Sequence, residues 1–522
     1  MSSPLPLGAL RSAVVAGVES TLVTVEVHRS DGVPTQTFVG LAGKAVRESL
    51  ERIHSACRRS DLGLEPRRTT VNLAPADCPK GGTGLDLPIA LGMLIAEGVI
   101  APEPFSDSVS LGELQLDGTL RPVPGVLPAA LAARRAGVEH LLVARGNAAE
   151  AAAVAGLRVT PLGSLAEAVA WARGELTPAP VRAPSPDEAE ANVDLAEIAG
   201  HALPRRALEI AAAGGHHLLM SGLPGAGKTL LARALPGILP PLSERESLET
   251  SAVYSVVGKL DGCGLLRRRP FRAPHHSVTA VGLIGGGVPP RPGEASLAHG
   301  GVLFLDEMPE FRRAALECLR QPLEEGEIHL VRGGRAVTMP ARFQLVGAMN
   351  PCPCGQGPQS DRCRCTLGQV RGYWRRLSGP LLDRIDLVVG VEPVALDELI
   401  TDRIRGESSD VVRERVVAAR AAQQRRWVEL DLGTDAAALT NAALPAKLLG
   451  CACGLSSAQR KRARERAEKM GVSARGWHRV LRVARTLADL GGREDIVDED
   501  LAEAFQYRQG GVELFAAATS SG

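Results

Sequence analysis

Residues 218–229 read LLMSGLPGAGKT, a short apolar run followed by a glycine-rich turn and the start of a helical stretch. The turn fits the spacing G-x-x-x-x-G-K-T, in which glycines let backbone N–H groups close around phosphates at a helix N-terminus. Three glycines of the turn are expected to contact the nucleotide: Gly222, Gly225 and Gly227. We expect Lys228 to reach the β- and γ-phosphates and Thr229 to ligate Mg²⁺.

A second apolar run ends in two carboxylates. Residues 302–307 read VLFLDE, and paired acids at the tip of a buried strand are costly unless they have a chemical role. Beside a phosphate loop, Asp306 is expected to hold the metal ion and Glu307 to polarise the attacking water. The two motifs together predict an ATPase that uses ATP and Mg²⁺.

The wider sequence predicts three folded units of α/β and all-helical type. The chain has 522 residues, 45% hydrophobic and 23% charged, which excludes a mainly disordered or collagen-like protein. Strand and helix patterns alternate first, then come a Pro- and Ala-rich acidic segment, a run of buried parallel strands, and helical periodicity. The expected units are a mixed α/β domain at 1–175, a linker at 176–192, a parallel-sheet core at 193–395 and an all-helical domain at 396–522.

Charge and hydropathy limit the partners. Lys and Arg number 60 against 59 Asp and Glu, so any contact with a polyanion must be local. Aromatic residues make up 3%, too few to line a base-stacking channel. No run of about 18 apolar residues occurs, and residues 1–16 carry one Arg in a broken apolar stretch. We therefore expect a cytoplasmic protein without a membrane partner.

Five further stretches carry a family resemblance. They are VNLAPAD at 71–77, FRAPHH at 271–276, PGEASLAHGGVLFLDE at 292–307, MNPCPCG at 349–355 and SGPLLDRID at 378–386. These motifs resemble the magnesium-chelatase-like AAA+ ATPases of the YifB/ComM type, and the resemblance covers almost the whole chain. It implies a Lon-protease-like N-terminal domain, an AAA+ phosphate-loop core and a helical lid domain.

The same resemblance implies a ring, expected to be a hexamer, whose active sites lie between subunits. Asn350 takes the position that orients the attacking water. Arg384 takes the position from which a neighbouring subunit's arginine neutralises charge on the γ-phosphate. The alternative for Arg384 is an ion pair with Asp383 or Asp386.

One arginine of the helical unit is a candidate for sensing the nucleotide. The segment SARGWHR at 473–479 is similar to the lid segment that has this role in the family, and it places Arg475 there. Three more arginines follow at helical spacing and compete for the role or form a solvated face: Arg479, Arg482 and Arg485.

Residues 77–86, DCPKGGTGLD, resemble the active-site segment of Lon-type proteases. The positions of the family's nucleophilic Ser and its Lys base fall here on Gly84 and Leu127. Without either group, acyl transfer has no mechanism, so we expect a scaffold or docking domain. Lys80 and Asp86 are interpreted as a surface ion pair.

Four of the ten cysteines lie directly behind Asn350: Cys352, Cys354, Cys363 and Cys365. The pattern C-x-C, eight residues, C-x-C supplies four thiolates for a structural zinc site, although C-x-C is tighter than the usual C-x₂₋₄-C. Reduced thiols without metal and a redox disulfide are the alternatives. No metal or catalytic role is assigned to His275 and His276.

Three basic or glycine-rich segments are candidates for contact with DNA. The helix at 459–469 has six positive and two negative side chains, and is either a phosphate-binding stripe or a solvated face. The resemblance places the segment 283–294 and the hairpin 328–337, with Arg332 and Arg335, toward the ring pore. Short loops with isolated arginines suit sequence-independent contact with a sugar-phosphate backbone.

These expectations combine into a hypothesis about function. The resemblance implies a ring motor acting on forked or branched DNA, with recombination proteins as further partners. Two rivals stay open: a chelatase-type motor that remodels a protein partner for metal insertion, and an ATP-switched regulatory scaffold.

Overall fold

A computed structural model describes most of the chain. It describes residues 9–179, 181, 193–260, 264–332, 335–358, 360–394, 406–430 and 439–519. Most of the linker expected at 176–192 lies outside these ranges, as do Gly333 and Gly334 at the tip of the expected hairpin. The described residues form a mixed α/β unit, a unit around a parallel sheet, and a helical unit, in that order.

The N-terminal unit is a mixed α/β structure. Its strands are β1 (Ala9–Ala16), β2 (Glu19–Ser30), β3 (Gln36–Val39), β4 (Arg68–Ala74), β5 (Ser108–Leu111), β6 (Glu113–Leu114), β7 (Leu120–Arg121), β8 (His140–Ala144) and β9 (Arg158–Leu162). Its helices are α1 (Lys44–Arg47), α2 (Ser49–Arg59), α3 (Asp86–Ala96), α4 (Val126–Arg135), α5 (Ala148–Ala152) and α6 (Leu165–Ala172). Seven of these strands form one sheet in the order β3-β4-β2-β1-β5-β8-β9. Helix α3 is apolar around most of its circumference and packs on this sheet, so nearly all of it is buried.

The middle unit is built on a parallel sheet. Its strands are β10 (Leu218–Gly222), β11 (Phe271–Arg272), β12 (Gly285–Gly286), β13 (Arg291–Pro292), β14 (Val302–Leu305), β15 (Glu327–Arg332), β16 (Arg335–Pro340), β17 (Gln344–Met349) and β18 (Leu387–Val391). Its helices are α7 (Ala202–Gly214), α8 (Lys228–Ile238), α9 (Glu244–Val256), α10 (Ala280–Ile284), α11 (Glu294–Leu297), α12 (Arg313–Cys318), α13 (Arg320–Glu325), α14 (Leu367–Trp374) and α15 (Gly379–Leu382). Five strands pair in parallel in the order β11-β14-β17-β10-β18.

The apolar runs of this sheet are buried on both faces, as parallel strands require. Alternate residues of β14 enter different hydrophobic cores: Val302 and Phe304 pack on one side, Leu303 and Leu305 on the other. This explains why the strands read as continuous apolar runs rather than as an alternating pattern. The expectation of a parallel-sheet core is confirmed.

The C-terminal unit is helical and shares a hydrophobic core with the middle unit. Its helices are α16 (Ser409–Glu429), α17 (Leu449–Cys453), α18 (Ser457–Lys469), α19 (Ala474–Leu490) and α20 (Asp498–Thr519). Val416 of α16 and Leu487 of α19 belong to the same buried cluster as Leu208 of α7 and Leu231 of α8. Among the described helices, none is long and apolar enough to cross a membrane.

Lys80 and Asp86 of the N-terminal unit are fully buried, so their interpretation as a surface ion pair is wrong. Asp86 accepts hydrogen bonds from Arg52 Nε at 2.7 Å and Nη2 at 2.9 Å, and from the backbone N–H of Leu114 at 3.2 Å. Lys80 donates instead to the carbonyl oxygen of Pro75. Burial raises the pKa of Asp86, and the bonds from Arg52 oppose that rise.

A buried polar network joins the N-terminal unit to the middle one, where α4 packs on α9. Ser255 of α9 donates its hydroxyl to Glu150 Oε2 at 2.7 Å and accepts from the backbone N–H of Leu127 at 3.2 Å. Asn147 donates to the other oxygen of Glu150 at 2.6 Å. Leu127, the position at which the resemblance to Lon-type proteases would place the Lys base, contacts the neighbouring unit. Near Gly84 the space is apolar, since a β-carbon there would meet Leu111 and Val123 side chains.

Candidate nucleotide-binding site

The phosphate loop connects β10 to α8. Gly225 has φ +77° and Gly227 has φ +83°, a left-handed backbone that only glycine adopts without strain. Gly227 also leaves little room for a side chain, because a β-carbon there would lie 3.1 Å from His201 Nε2. Two of the three glycines predicted from the sequence, Gly225 and Gly227, therefore occupy positions whose conformation requires glycine; at Gly222 the nearby carbonyl oxygen of Val391 leaves no room for a side chain.

Lys228 is buried at the start of α8 and its ammonium group is held in the loop. Its Nζ donates to the carbonyl oxygens of Gly222 at 2.6 Å and Leu223 at 2.8 Å, and to Asn350 Oδ1 at 3.2 Å. Burial lowers the pKa of Lys228, while the nearby carboxylates of Asp306 and Glu307 raise it. The structure thus brings three predicted site elements, the loop, Asn350 and the two carboxylates, to one lysine.

The oxygen ligands expected for Mg²⁺ are adjacent. Thr229 Oγ1 donates to Asp306 Oδ2 at 2.8 Å, and the backbone N–H of Glu307 donates to Asp306 Oδ1 at 3.0 Å. A hydroxyl and a carboxylate are the hard oxygen donors that Mg²⁺ prefers, so the residues present fit this metal.

Glu307 has an unusual backbone. Its φ is +50°, a left-handed conformation that is rare for residues other than glycine and recurs at functional sites. Its carboxylate is exposed, and Oε2 lies 3.7 Å from His276 Nδ1. Sequence reasoning gave His276 no role; the only signal for it was its place in the FRAPHH motif. His201, which lies against Gly227, had no sequence signal at all.

The parallel sheet explains why these residues meet. The phosphate loop, Asn350 and Asp306 each follow the carboxyl end of a strand, namely β10, β17 and β14. Strand β17 pairs with both of the others, so the three ends lie side by side. Ligands of open parallel sheets bind at this edge.

A second cluster lies at the opposite edge of the sheet. A cleft of about 700 Å³ is lined by His217, Gln344 and Asp386, which precede or begin β10, β17 and β18, and also by Arg384 and Arg475. Strands of five residues separate the two edges by about 16 Å. The structure therefore does not bring Arg384 and Arg475 to the phosphate loop of the same chain.

Arg384 is held beside the cleft. Its side chain is 11% exposed and pairs with Glu324, not with Asp383 or Asp386, the partners that the sequence offered as an alternative. It also donates to the carbonyl oxygen of Pro380. Burial lowers the pKa of Arg384, and the charge of Glu324 opposes this.

The structure distinguishes Arg475 from its three competitors. Arg479 donates to Asp386 at 2.6 Å, Arg482 to the carbonyl oxygen of Leu444, and Arg485 to Asp489, so all three have partners within the fold. Arg475 is exposed, and no hydrogen bond or ion pair joins its guanidinium to another residue that the structure describes.

Four free thiols converge behind Asn350: Cys352, Cys354, Cys363 and Cys365. Cys352 is buried and Cys354 is exposed. A backbone N–H bond from Gln356 and the neighbouring thiols lower the pKa of Cys354 to about 6. No disulfide joins them here, and metal binding and unligated thiols both fit this description.

The structure supports some expectations about the segments proposed to contact DNA and not others. The basic helix α18 exposes most of its charge, and Arg462 and Arg464 pair with Asp498 and Glu468, as on a solvated face. The expected hairpin at 328–337 forms as β15 and β16, and Val337 lies against the turn at Gly17. The structure does not describe the side chains of Arg332 and Arg335.

A parallel sheet with a phosphate loop, acidic residues at a strand tip and an attached helical unit defines an AAA+-type phosphate-loop fold. Family models agree along the chain: "Magnesium chelatase, subunit ChlI" matches residues 194–399, "Subunit ChlI of Mg-chelatase" residues 25–147, and "Magnesium chelatase, subunit ChlI C-terminal" residues 406–508.

Sequence matches to relatives extend over nearly the full length of the chain. The chain is 42% identical over 510 residues to competence protein ComM of Haemophilus influenzae, covering 97% of this chain and 98% of that protein. It is 40% identical over 504 residues to YifB of Salmonella typhimurium, covering 97% of each. A shorter match, 30% identical over 149 residues, joins 27% of this chain to 19% of the Lon protease of Salinispora arenicola. The chain belongs to the YifB/ComM family of magnesium-chelatase-like AAA+ ATPases.

Proposed function

We propose that this chain is a cytoplasmic, Mg²⁺-dependent AAA+ ATPase that forms a hexameric ring and couples ATP hydrolysis to remodelling of forked or branched DNA. Helicase or branch-migration activity in recombination or natural transformation is the expected form, with recombination proteins as partners. The observation that carries the ATPase activity is the meeting of phosphate loop, Asn350 and two carboxylates at one sheet edge. The name of the Haemophilus relative, a competence protein, supports the DNA part.

Each residue at this edge has a role that follows from its contacts. Lys228 exchanges its carbonyl acceptors for phosphate oxygens, and Thr229 and Asp306 hold the metal ion. Mg²⁺, when bound, supplies positive charge next to the phosphates. Glu307, exposed beside Asp306, polarises the attacking water, and Asn350 orients it.

Arg384 and Arg475 lie at the end of the sheet opposite the phosphate loop, which supports active sites shared between subunits. Both line the cleft at the amino-terminal ends of the strands, here called the amino edge of the sheet, so neither serves the phosphate loop of its own chain. In a ring, this edge of one subunit faces the phosphate loop of the next, and the two arginines act there together. Arg384 then exchanges its partner Glu324 for a γ-phosphate of the neighbouring subunit's nucleotide.

The N-terminal unit is proposed to be a Lon-like domain without protease activity. Gly84 and Leu127 stand where a nucleophile and its base would be, and Leu127 is engaged by Ser255 of the core. The short match to a Lon protease supports the kinship. Its role is to dock on helix α9 as a scaffold.

The proposal is tested by ATP hydrolysis with and without forked DNA and four-way junctions. DNA is expected to stimulate turnover, and Lys228→Ala and Glu307→Gln to abolish it, because they remove the phosphate contact and the base. Lys259→Ala, at an exposed lysine, is the matched control and is expected to behave as the unaltered protein. Full turnover in Lys228→Ala would contradict the site.

A second candidate, a chelatase-type motor acting on a protein partner, is favoured by the descriptions of the matching family models. The same assay distinguishes the two. ATP turnover that no DNA stimulates, but that an added protein partner does stimulate, would contradict the DNA motor and support the chelatase-type motor.

A further inference from the structure

The four cysteines behind Asn350 have the dimensions of a zinc site. Cys352 Sγ lies 3.4 Å from Cys354 Sγ and 3.7 Å from Cys363 Sγ, and the latter two are 3.6 Å apart. With Cys365 included, all four sulfur atoms lie within 4.8 Å of one another. Four thiolates at about 2.3 Å from a central zinc stand roughly 3.8 Å apart, so little rearrangement is needed.

The ligand set is of the closed, structural type. Four protein thiolates complete a tetrahedron and leave no open position for water or substrate. The backbone N–H of Gly357 donates to Cys352 Sγ at 3.3 Å, the kind of outer contact that orients a ligand. Cys352 is fully buried beneath the loop, whereas the other three lie nearer the surface.

The loop that carries the cysteines lies directly on the phosphate loop. Gly355, with φ +79°, approaches so closely that a β-carbon there would lie 2.8 Å from Pro224 Cγ. Gly357, with φ +85°, faces Leu223, and a β-carbon there would lie 3.5 Å from its Cδ2. The cysteine loop thus supports the residue, Leu223, whose carbonyl accepts from Lys228.

The same loop begins at a residue of the nucleotide site. Asn350 immediately precedes Pro351, and its Oδ1 accepts from Lys228 Nζ at 3.2 Å. The carbonyl oxygen of Pro351 accepts from Trp374 Nε1 at 3.1 Å, which ties the start of the loop to α14. The cysteine loop is therefore continuous with Asn350 and in contact with the phosphate loop.

We propose that the four cysteines bind one structural Zn²⁺ and that the bound metal holds the phosphate loop and Asn350 in their nucleotide-binding arrangement. Loss of zinc then weakens nucleotide binding without touching a phosphate contact. The coupling rests on the proposed nucleotide site; the metal site does not, and the two are measured separately.

The metal is tested by mass spectrometry of the untagged full-length protein purified without chelators. We expect about one zinc per chain, the same in Cys451→Ser, a control at an exposed cysteine of the helical unit. The double variant Cys354→Ser/Cys363→Ser is expected to contain less than about a tenth as much. Wild-type protein that holds no metal, or holds iron in place of zinc, would overturn the zinc site, and this result does not depend on any variant folding.

The coupling is tested by binding of a fluorescent ADP analogue in the presence of Mg²⁺. Stripping zinc from the wild-type protein is expected to raise the Kd about tenfold, and readdition of zinc to restore it. Gly355→Ala keeps all four thiols but pushes on Pro224, so it should retain zinc and still bind the analogue several-fold more weakly. Unchanged affinity in the zinc-free protein would overturn the coupling. If the zinc-loaded protein does not bind the analogue, the proposed nucleotide site fails while the zinc measurement stands.

Discussion

At the residue scale, buried charges and histidines are stabilised by specific partners. Asp386 is the clearest example: burial would raise its pKa, but the charge of Arg479 and the bond from His216 hold it well below its usual range. Lys80 and Asp86 of the N-terminal unit are also buried beside specific partners, the carbonyl oxygen of Pro75 and the guanidinium of Arg52. Their burial could not be predicted from sequence, because a charged residue carries no signal of the partner that the fold brings to it.

His140 leads to a prediction about pH. Burial lowers its pKa to about 4, and its Nε2 lies 2.8 Å from Thr160 Oγ1. The unfolded chain binds this proton near pH 6.5 and the folded chain does not, so stability is lost as the pH falls from about 6.5 to 4, by at most about 1.4 kcal/mol per pH unit. Urea unfolding at pH 7 and pH 5 should show a smaller loss for His140→Gln than for the wild type. An equal loss in both would contradict the assignment; His329→Gln, at a surface histidine, is the control.

At the scale of elements, the parts of the site that could be predicted from the sequence are those in local motifs that directly follow a strand. The phosphate loop and the pair Asp306 and Glu307 are local motifs that follow apolar runs, so their position at one edge of a parallel sheet was predictable. The cleft at the amino-terminal ends of the strands was not predictable, because it forms where α19 packs against residues that are distant in the sequence. Glu324 meets Arg384 across 60 residues, and Arg479 meets Asp386 across 93.

The docking of α19 leads to a prediction about stability. Arg479→Ala removes the ion pair from the buried carboxylate of Asp386 and leaves it the hydrogen bond from His216, so it is expected to lower the free energy of unfolding by about 3–5 kcal/mol. Arg464→Ala removes the exposed pair with Glu468 and should cost no more than about 0.5 kcal/mol. Chemical unfolding of the two variants gives the comparison. Equal, small effects would mean that the Arg479 pair does not join the helical unit to the core.

At the scale of the whole molecule, the three units are joined by buried contacts and not only by chain connections. One hydrophobic core runs from the parallel sheet into the helical unit. Ser255, Glu150 and Leu127 join the N-terminal unit to helix α9, which also provides Glu246 and Glu249 to the wall of the cleft. Helix α9 therefore contacts both the cleft at the amino-terminal ends of the strands and the N-terminal unit.

In the proposed ring, each ATP is hydrolysed by the phosphate loop of one subunit and Arg384 of the next. Mixing two inactive proteins tests this shared site: Glu307→Gln lacks the base but keeps its arginine, and Arg384→Ala lacks the arginine but keeps its base. In randomly mixed rings about a quarter of the interfaces unite an intact base with an intact arginine, so ATP turnover should recover to about a quarter of the wild-type rate. A mixture no more active than either variant alone would contradict the shared site.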